Sequence, residues 1–452
     1  MEKTMKWSKY NIYTREDNEH KVLVFNTLTR SFVSLNFLPD QKFSRRTSPE
    51  IYATPEVLKQ LERLGIVLDE TIDERLLFKQ FFNTIRYDKT ALGLFISFTS
   101  GCNFACRYCY ESYKDHQVPI SFLSEDKWQV LLKYINDRVS KNPLKTLAVT
   151  FYGGEPLLNY DMVLRAAKDI KMLSRSSLNI TIVLITNGSL LTNERAEELK
   201  EYIDWVQITI DGLPEDHNFF RPYKDGRGSF SDVVQNLVGA SRLFKDISLR
   251  INIDENNYGN IGDLLVQFAS KFNDKLPSIG FSWIFPTQEQ VKVEVENADF
   301  PSRDPRVDEE KVKKIQHLQK KAISLGFSVQ TSFVDGPCSM LVPNGISVDE
   351  FLNVYKCPGL LYQKPVGEIT EQGNLEIRDN FWYQAVTLEP ECIYDCIYGP
   401  ICFGGCLWMA GGLDKTSCKK KIHAKLLVEA MKIHVTTLRK KIKHRQASDL
   451  TV

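Results

Sequence analysis

The ten cysteines of this chain are not scattered. Cys102, Cys106 and Cys109 stand together, and no other cysteine follows until Cys338, Cys357, Cys392, Cys396, Cys402, Cys406 and Cys418. Isolated core cysteines would not group in this way. The pattern demands one compact thiol site near the front of the fold and a dense cysteine module at its back. Met1–Asn11 is charged and lacks the apolar run of a secretory signal. The longest apolar stretches, Leu92–Phe98 and Ile180–Ile185, are strand-sized, not membrane-sized. The expectation is a cytoplasmic chain with no membrane partner, where thiols do not form stable disulfides. The 452 residues carry a formal charge of +1, with 43% hydrophobic and 25% charged residues. That is ordinary globular composition, and it gives no electrostatic reason to expect nucleic acid as a partner.

From Leu92 the chain alternates strand-like and helix-like segments. Apolar runs at Leu92–Phe98, Leu147–Phe151, Ile180–Ile185, Trp205–Ile210, Ile247–Ile253 and Ile279–Phe285 read as strands. Helical patterns lie between them at Ser124–Ser140, Tyr160–Arg175, Asn193–Glu201, Ser231–Phe244 and Ile261–Phe272, and a further one covers Asp308–Leu325. This order predicts parallel βαβ units. Six strands are too few for a closed eight-unit barrel, so the choice is an open partial barrel or a doubly wound sheet. Either places functional groups at the C-terminal ends of the strands. Before this rhythm, residues 1–88 form a small α+β unit. It has strands at Lys21–Asn26 and Ser31–Leu35, a helix at Thr54–Gly65 capped by Thr54, and another helix at Glu70–Phe82. After Thr331 the rhythm stops. Residues 331–418 hold seven cysteines and many glycines, as in a domain organised by metal. Lys419–Arg445 reads as a basic helix packed through Ile422, Leu426, Leu427 and Ile433.

The first strand runs into Ser100–Tyr110, SGCNFACRYCY. Thiolates in the spacing C-x3-C-x2-C suit zinc or an iron–sulfur cluster. A four-iron cubane normally takes four cysteines, so three leave one iron open. The segment resembles the cluster motif of radical S-adenosylmethionine (SAM) enzymes. In that superfamily the open iron chelates SAM, and reduction releases a 5′-deoxyadenosyl radical. Later segments support the resemblance: YGGEP at Tyr152–Pro156, TNG at Thr186–Gly188, TIDG at Thr209–Gly212 and HNFFRPY around Arg221. It implies SAM contacts from Tyr108, Gly153, Gly154, Glu155, Thr209 and Arg221, with Arg250 and Asn252 as weaker candidates. It also implies an α/β fold of radical SAM type, a partial (β/α)6 TIM-like barrel, over residues 89–330.

The rear run Cys392, Cys396, Cys402, Cys406 has spacing C-x3-C-x5-C-x3-C. Read alone, it suits zinc as well as iron. Beside the front motif it resembles the SPASM domain, which carries two auxiliary clusters. The resemblance implies that Cys338, Cys357 and Cys406 hold auxiliary cluster I, and that Cys392, Cys396, Cys402 and Cys418 hold auxiliary cluster II. With the front site this makes three 4Fe-4S clusters. Cluster I is one ligand short of four. Pro358 follows Cys357 where sulfatase-maturing relatives have a catalytic Asp.

SPASM enzymes mostly modify peptides, so the resemblance is to peptide maturases such as sactipeptide and ranthipeptide synthases. It implies a ribosomally made precursor peptide as substrate, a cysteine thioether crosslink as product, and flavodoxin or ferredoxin as electron donor. Residues 1–88 would then recognise a leader peptide or serve as a plain structural unit. The catalytic base has no candidate in the sequence; Asp211, Glu155 and His217 lie near the site but read as pocket or fold structure. Two alternatives stand beside this reading. One is another SPASM oxidation, a carbon–carbon crosslink or anaerobic sulfatase-type maturation. The other is a zinc-stabilised binding protein with an inactive core.

Overall fold

The computed structural model describes residues 4–15, 21–36, 43–109, 111, 119–141, 144–174, 176–272, 275–284, 308–330, 336–410, 413, 418 and 420–448. Met1–Lys3, Tyr110, Thr331, Lys419 and the expected element ends at Arg175 and Phe285 lie outside them.

Strands β1 (Met5–Trp7), β2 (Asn11–Arg15), β3 (Lys21–Asn26) and β4 (Phe32–Asn36) open the fold. In β3, Val22 and Val24 face one way and Leu23 and Phe25 the other, and all four are buried. It is the central strand of an antiparallel sheet with β2 and β4. Helix α1 (Pro55–Arg63) starts where Thr54 accepts a hydrogen bond from the Val57 N–H, with Pro55 in the first turn. Gly65 ends it at φ +69°. Strand β5 (Val67–Asp69) pairs with β1. Helix α2 (Glu74–Arg86) begins four residues later than its sequence pattern suggests. Asp69 holds Thr71 in a turn, and Asp73 accepts from the Arg75 and Leu76 N–H groups as the cap.

The main sheet is built from β6 (Ala91–Ser97), β7 (Thr146–Tyr152), β8 (Asn179–Thr186), β9 (Trp205–Thr209), β10 (Asp246–Ile253) and β11 (Ser278–Trp283), all parallel and adjacent in chain order. Between and after them come α3 (Glu125–Lys141), α4 (Tyr160–Met172), α5 (Asn193–Leu199), α6 (Pro214–Phe220), α7 (Phe230–Leu243), α8 (Tyr258–Lys271) and α9 (Glu309–Ser324). Burial alternates along β6, β7, β8 and β9. On β7, Leu147, Val149 and Phe151 are fully buried, whereas Thr146, Thr150 and Tyr152 are partly open and Ala148 is exposed. One face is therefore covered by helices and the other lines an open interior. A doubly wound sheet would bury both faces, so the alternation identifies the partial barrel. The seven-residue α6 was not expected from sequence; it is shorter than an amphipathic stripe needs to declare itself.

After α9 the chain returns to the sheet. Strand β12 (Gly345–Val348) pairs in parallel with β6, Ile346 opposite Leu94. Strands β13 (Asn353–Tyr355), β14 (Gly367–Ile369) and β15 (Leu375–Ile377) continue outward antiparallel. The sheet thus runs through ten strands into the cysteine-rich segment. Helices α10 (Asn380–Thr387) and α11 (Lys420–Ser448) follow. Helix α11 lies on α9, with Ile422, Leu426, Leu427 and Ile433 buried. The Gln316 amide donates to the Leu426 carbonyl at 3.0 Å there.

The N-terminal unit seats on the rear segment. Tyr10, Leu28, Phe78 and Phe82 share a core with Met340, Leu341, Ile393, Tyr394, Phe403 and Leu407. Phe82 stacks on Phe403 with ring centres 5.7 Å apart. Arg86, 1% exposed, donates to the Val386 carbonyl. Among the described residues no helix is long and apolar enough to cross a membrane.

Candidate active site

The front thiols sit on the loop that leaves β6, clasped from two sides. On one side the loop after β7 packs directly on it. The Gly154 N–H donates to the Thr99 carbonyl at 3.0 Å and the Glu155 N–H to the Gly101 carbonyl at 2.9 Å. A Cβ on Gly154 would lie 2.1 Å from the Gly101 oxygen, and one on Gly153 (φ +131°) 2.5 Å from the Thr99 oxygen. The glycines expected to admit a ligand thus admit the thiol loop itself. On the other side, the N–H groups of Ala105 and Arg107 donate to the carbonyls of Pro222 and Phe220. Phe104 meets Tyr223 edge-on at 4.9 Å.

Glu155 is completely buried. It accepts from Thr186 Oγ1 and the Asn187 N–H at 2.7 Å each, and from the Leu157 N–H at 3.0 Å. It ties the end of β7 to the end of β8, and burial raises its pKa against the pull of those donors. Asn187 in turn points its amide at Asn103 Oδ1 (2.8 Å) and Cys102 Sγ (3.9 Å). The TNG segment thereby braces the loop that carries the thiols.

Tyr108, Arg221, Asn252 and Arg250 come together, and Asp211 joins them. The Tyr108 hydroxyl accepts from Arg221 Nη1 at 2.6 Å and Asn252 Nδ2 at 2.9 Å, and donates to Asp211 Oδ2. Arg250 Nε donates to Asn252 Oδ1 at 3.0 Å. Asp211 also accepts from the Asn252 N–H at 3.0 Å, and Arg221 lies 3.8 Å from its carboxylate. Burial works against the Arg221 charge, but Cys106, Tyr108 and Asp211 outweigh it. Among the described residues Arg221 Nε is a buried donor without a partner, so the network keeps one charged N–H for an anion. Thr209, buried at the end of β9, is in register with Arg250. His217 Nδ1 accepts from the Asp211 N–H at 3.3 Å and its Nε2 meets Ser229 at 3.1 Å. It is fold structure.

The thiols fit metal ligation. Burial pushes Cys102 up to about 12, helped by Glu155, and Cys109 up to about 12, helped by Glu111 and Cys106; Cys106 is also raised by burial. Such thiols do not ionise unaided, and a metal cation in place of the proton is what makes them ligands. The Cys109 N–H donates to the Cys106 carbonyl at 3.1 Å, and Cys102 and Cys106 both raise the Cys109 thiol.

The rear cysteines separate into two groups. Cys406 lies close enough to raise the Cys338 thiol, and Cys338 and Cys406 the Cys357 thiol, with Cys357 pushed up to about 12 mainly by burial. Lys356 lies among them, fully buried, donating to the Val342 and Gly345 carbonyls at 2.6 and 2.9 Å, 4.2 Å above the Trp382 ring. Burial lowers its pKa to about 7. Cys392, Cys396, Cys402 and Cys418 line one cavity of about 210 Å³ with Tyr398 and Gly404. Among the described residues no three Cys, His, Asp or Glu converge on a single ion.

Residues 96–261 match the sequence model of the Radical SAM superfamily. An uncharacterised protein of Methanocaldococcus jannaschii is 25% identical over 284 residues, 63% of this chain and 91% of that protein. A cysteine-type anaerobic sulfatase-maturating enzyme of Clostridium novyi is 24% identical over 328 residues, 68% of this chain and 85% of that enzyme. Two other curated relatives are matched over less than half their length. Among solved structures, native anSMEcpe with bound AdoMet and Kp18Cys peptide is similar in fold. Its TM-score is 0.55 at 18% identity, over 78% of this chain and 99% of that one.

Proposed function

We propose that this chain, an enzyme whose residues 96–261 are a radical SAM domain, is a peptide maturase that forms a cysteine thioether. The observation that carries the reading is the sorting of the rear thiols into a group of three and a group of four. Cys338, Cys357 and Cys406 are one ligand short of a cubane's usual four, which leaves a place for a peptide thiolate. Cys392, Cys396, Cys402 and Cys418 make a complete set. Cys102, Cys106 and Cys109 form the third site.

A reduced cluster on the front thiols would supply the 5′-deoxyadenosyl radical that takes a hydrogen atom from the peptide. Tyr108, Gly153, Gly154, Glu155, Thr209, Arg221, Arg250 and Asn252 are assigned to the SAM pocket. Arg221 Nε receives the carboxylate, while Gly153, Gly154 and Glu155 act by holding the loop. The half-open interior between β6 and β11 admits the peptide and orients the reacting carbon. Residues 1–88 are assigned to leader recognition, residues 331–418 to the auxiliary clusters and residues 419–452 to a basic helix and tail. The electron donor is of the flavodoxin or ferredoxin type. Ten ligating thiols suit the reducing cytoplasm.

A second reading, sulfatase-type oxidation, is favoured by the C. novyi relative's coverage and opposed by Pro358 after Cys357. The deciding experiment is anaerobic reconstitution followed by reaction with cysteine-containing peptides. About twelve irons per chain and a product lacking two hydrogens and a free thiol support thioether formation. Two hydrogens lost with the thiol still alkylatable points to a carbon–carbon crosslink. Zinc in place of iron overturns the reading.

A further inference from the structure

A second polar group lies at the end of β6, outside the network around Asp211. Glu350, 2% exposed, follows β12. Its Oε2 accepts from the Tyr362 hydroxyl at 2.6 Å, and its Oε1 from Ser121 Oγ. The Tyr362 hydroxyl also meets Ser97 Oγ, the last residue of β6, at 2.7 Å. A carboxylate withdrawn from water needs such donors; those described here are hydroxyls, which can pass a proton as well as share one.

The position of Tyr362 is unusual. Its φ is +64°, a left-handed conformation that strains a bulky residue and persists where the surroundings over-determine it. The short turn Pro358–Leu360 connects it to Cys357. On the other side, Ser97 Oγ, which meets Tyr362, also donates to the Thr99 carbonyl at 3.3 Å, at the start of the loop that carries the front thiols. Tyr362 therefore joins the end of β6, which runs on into the front thiol loop, to the segment that follows Cys357, and the maturase reading brings a peptide thiol and the carbon it joins to that region.

Resting on the maturase reading, we propose that Tyr362 and Glu350 are the catalytic proton acceptor for the peptide thiol. The S–H bond breaks, and its electron pair stays on sulfur. The proton passes to Tyr362 Oη while the phenolic proton moves to Glu350 Oε2. Tyr362 stays neutral throughout, and Glu350 becomes the carboxylic acid. Rotation of the protonated carboxyl then presents its O–H to Ser121 Oγ, and the proton passes through Ser100 Oγ, 3.1 Å away, to bulk water beside exposed Pro119, whose carbonyl lies 3.1 Å from Ser100 Oγ.

The test uses reconstituted holoenzyme and a panel of synthetic cysteine-containing peptides. The readouts are crosslinked peptide per 5′-deoxyadenosine formed, against pH, and iron per chain. In Glu350→Gln and Tyr362→Phe the ratio falls about 100-fold with iron retained. It recovers above about pH 8.5, where a thiol ionises unaided, and Glu350→Asp restores part of it at neutral pH. A wild-type ratio in either variant overturns the proposal. So does a loss that no pH restores and that iron loss accompanies, since that marks a structural role. A wild type that cleaves SAM but converts no peptide sinks the maturase reading itself, before any substitution is made.

Discussion

One hydrogen atom on Gly154 decides whether the thiol loop can close. The oxygen of Gly101 would be 2.1 Å from any Cβ placed there, and it is backbone, so it cannot swing aside. Gly154→Ala should therefore cost the front site its ligands while sparing the rear module. Iron after reconstitution should drop from about twelve to about eight per chain, with SAM cleavage lost. Arg221 offers a graded test. Its unpartnered Nε belongs to a fixed planar fork that lysine cannot reproduce. A hydrogen bond to a charged group is worth about 1.5–3 kcal/mol, so Arg221→Lys should weaken SAM binding at least about tenfold by calorimetry on reconstituted protein. Residue types carried the site this far: the thiols, Tyr108 and Arg221 could be marked from the chain. Asp211 as the point where Tyr108, Arg221 and Asn252 meet could not, because those contacts join β9, β10 and two loops. Tyr362 and Glu350 carried no sequence signal at all, since a lone Glu is normally a surface residue and a lone Tyr is intermediate between core and surface.

At the level of elements, α6 places Arg221 and also stores a pH sensitivity. His217 on α6 is fully buried, and burial, with Arg221 close by, holds its pKa well below the ordinary 6.5. In the unfolded chain it takes up a proton as pH falls through about 6.5, while in the fold it stays neutral. The unfolded state then binds more protons, so stability falls on acidification below that value, by at most about 1.4 kcal/mol per pH unit from this group. Thermal unfolding followed from pH 8 to 5 should show the decline, and His217→Gln should flatten it. The strands of the barrel were legible because apolar residues at every second position bury one face; β6 to β11 fall within two residues of their apolar runs. Strand β12 was not: four residues, Gly345–Val348, have no pattern of their own, and pairing with β6 is what makes them a strand.

Across the whole molecule, the N-terminal unit is a foundation for the rear cysteines. Phe78 and Phe82 of α2 pack with Tyr394 and Phe403, which stand among Cys392, Cys396, Cys402 and Cys406. Arg75 pairs with Glu391 and Asp395 around the same segment, but those exposed pairs contribute little. The apolar contact dominates. Phe82→Ala should cost about 3–5 kcal/mol, seen as a lower melting temperature and faster loss of rear-cluster iron to a chelator. Front-site iron should be lost more slowly. What the sequence by itself determined is what short-range chemistry can encode: three thiols after a strand, strand–helix alternation with one buried face, a cap at Thr54, and a back end short of apolar core but rich in cysteine. The tertiary structure alone decided which rear cysteines lie near one another, that the main sheet continues through β12 into the rear segment, and that Tyr10, Leu28, Phe78 and Phe82 of the N-terminal unit pack on that segment. Each of these depends on contacts between residues far apart in the chain. Their partners are selected by packing and burial, which leave no periodicity or spacing in either strand of sequence taken alone.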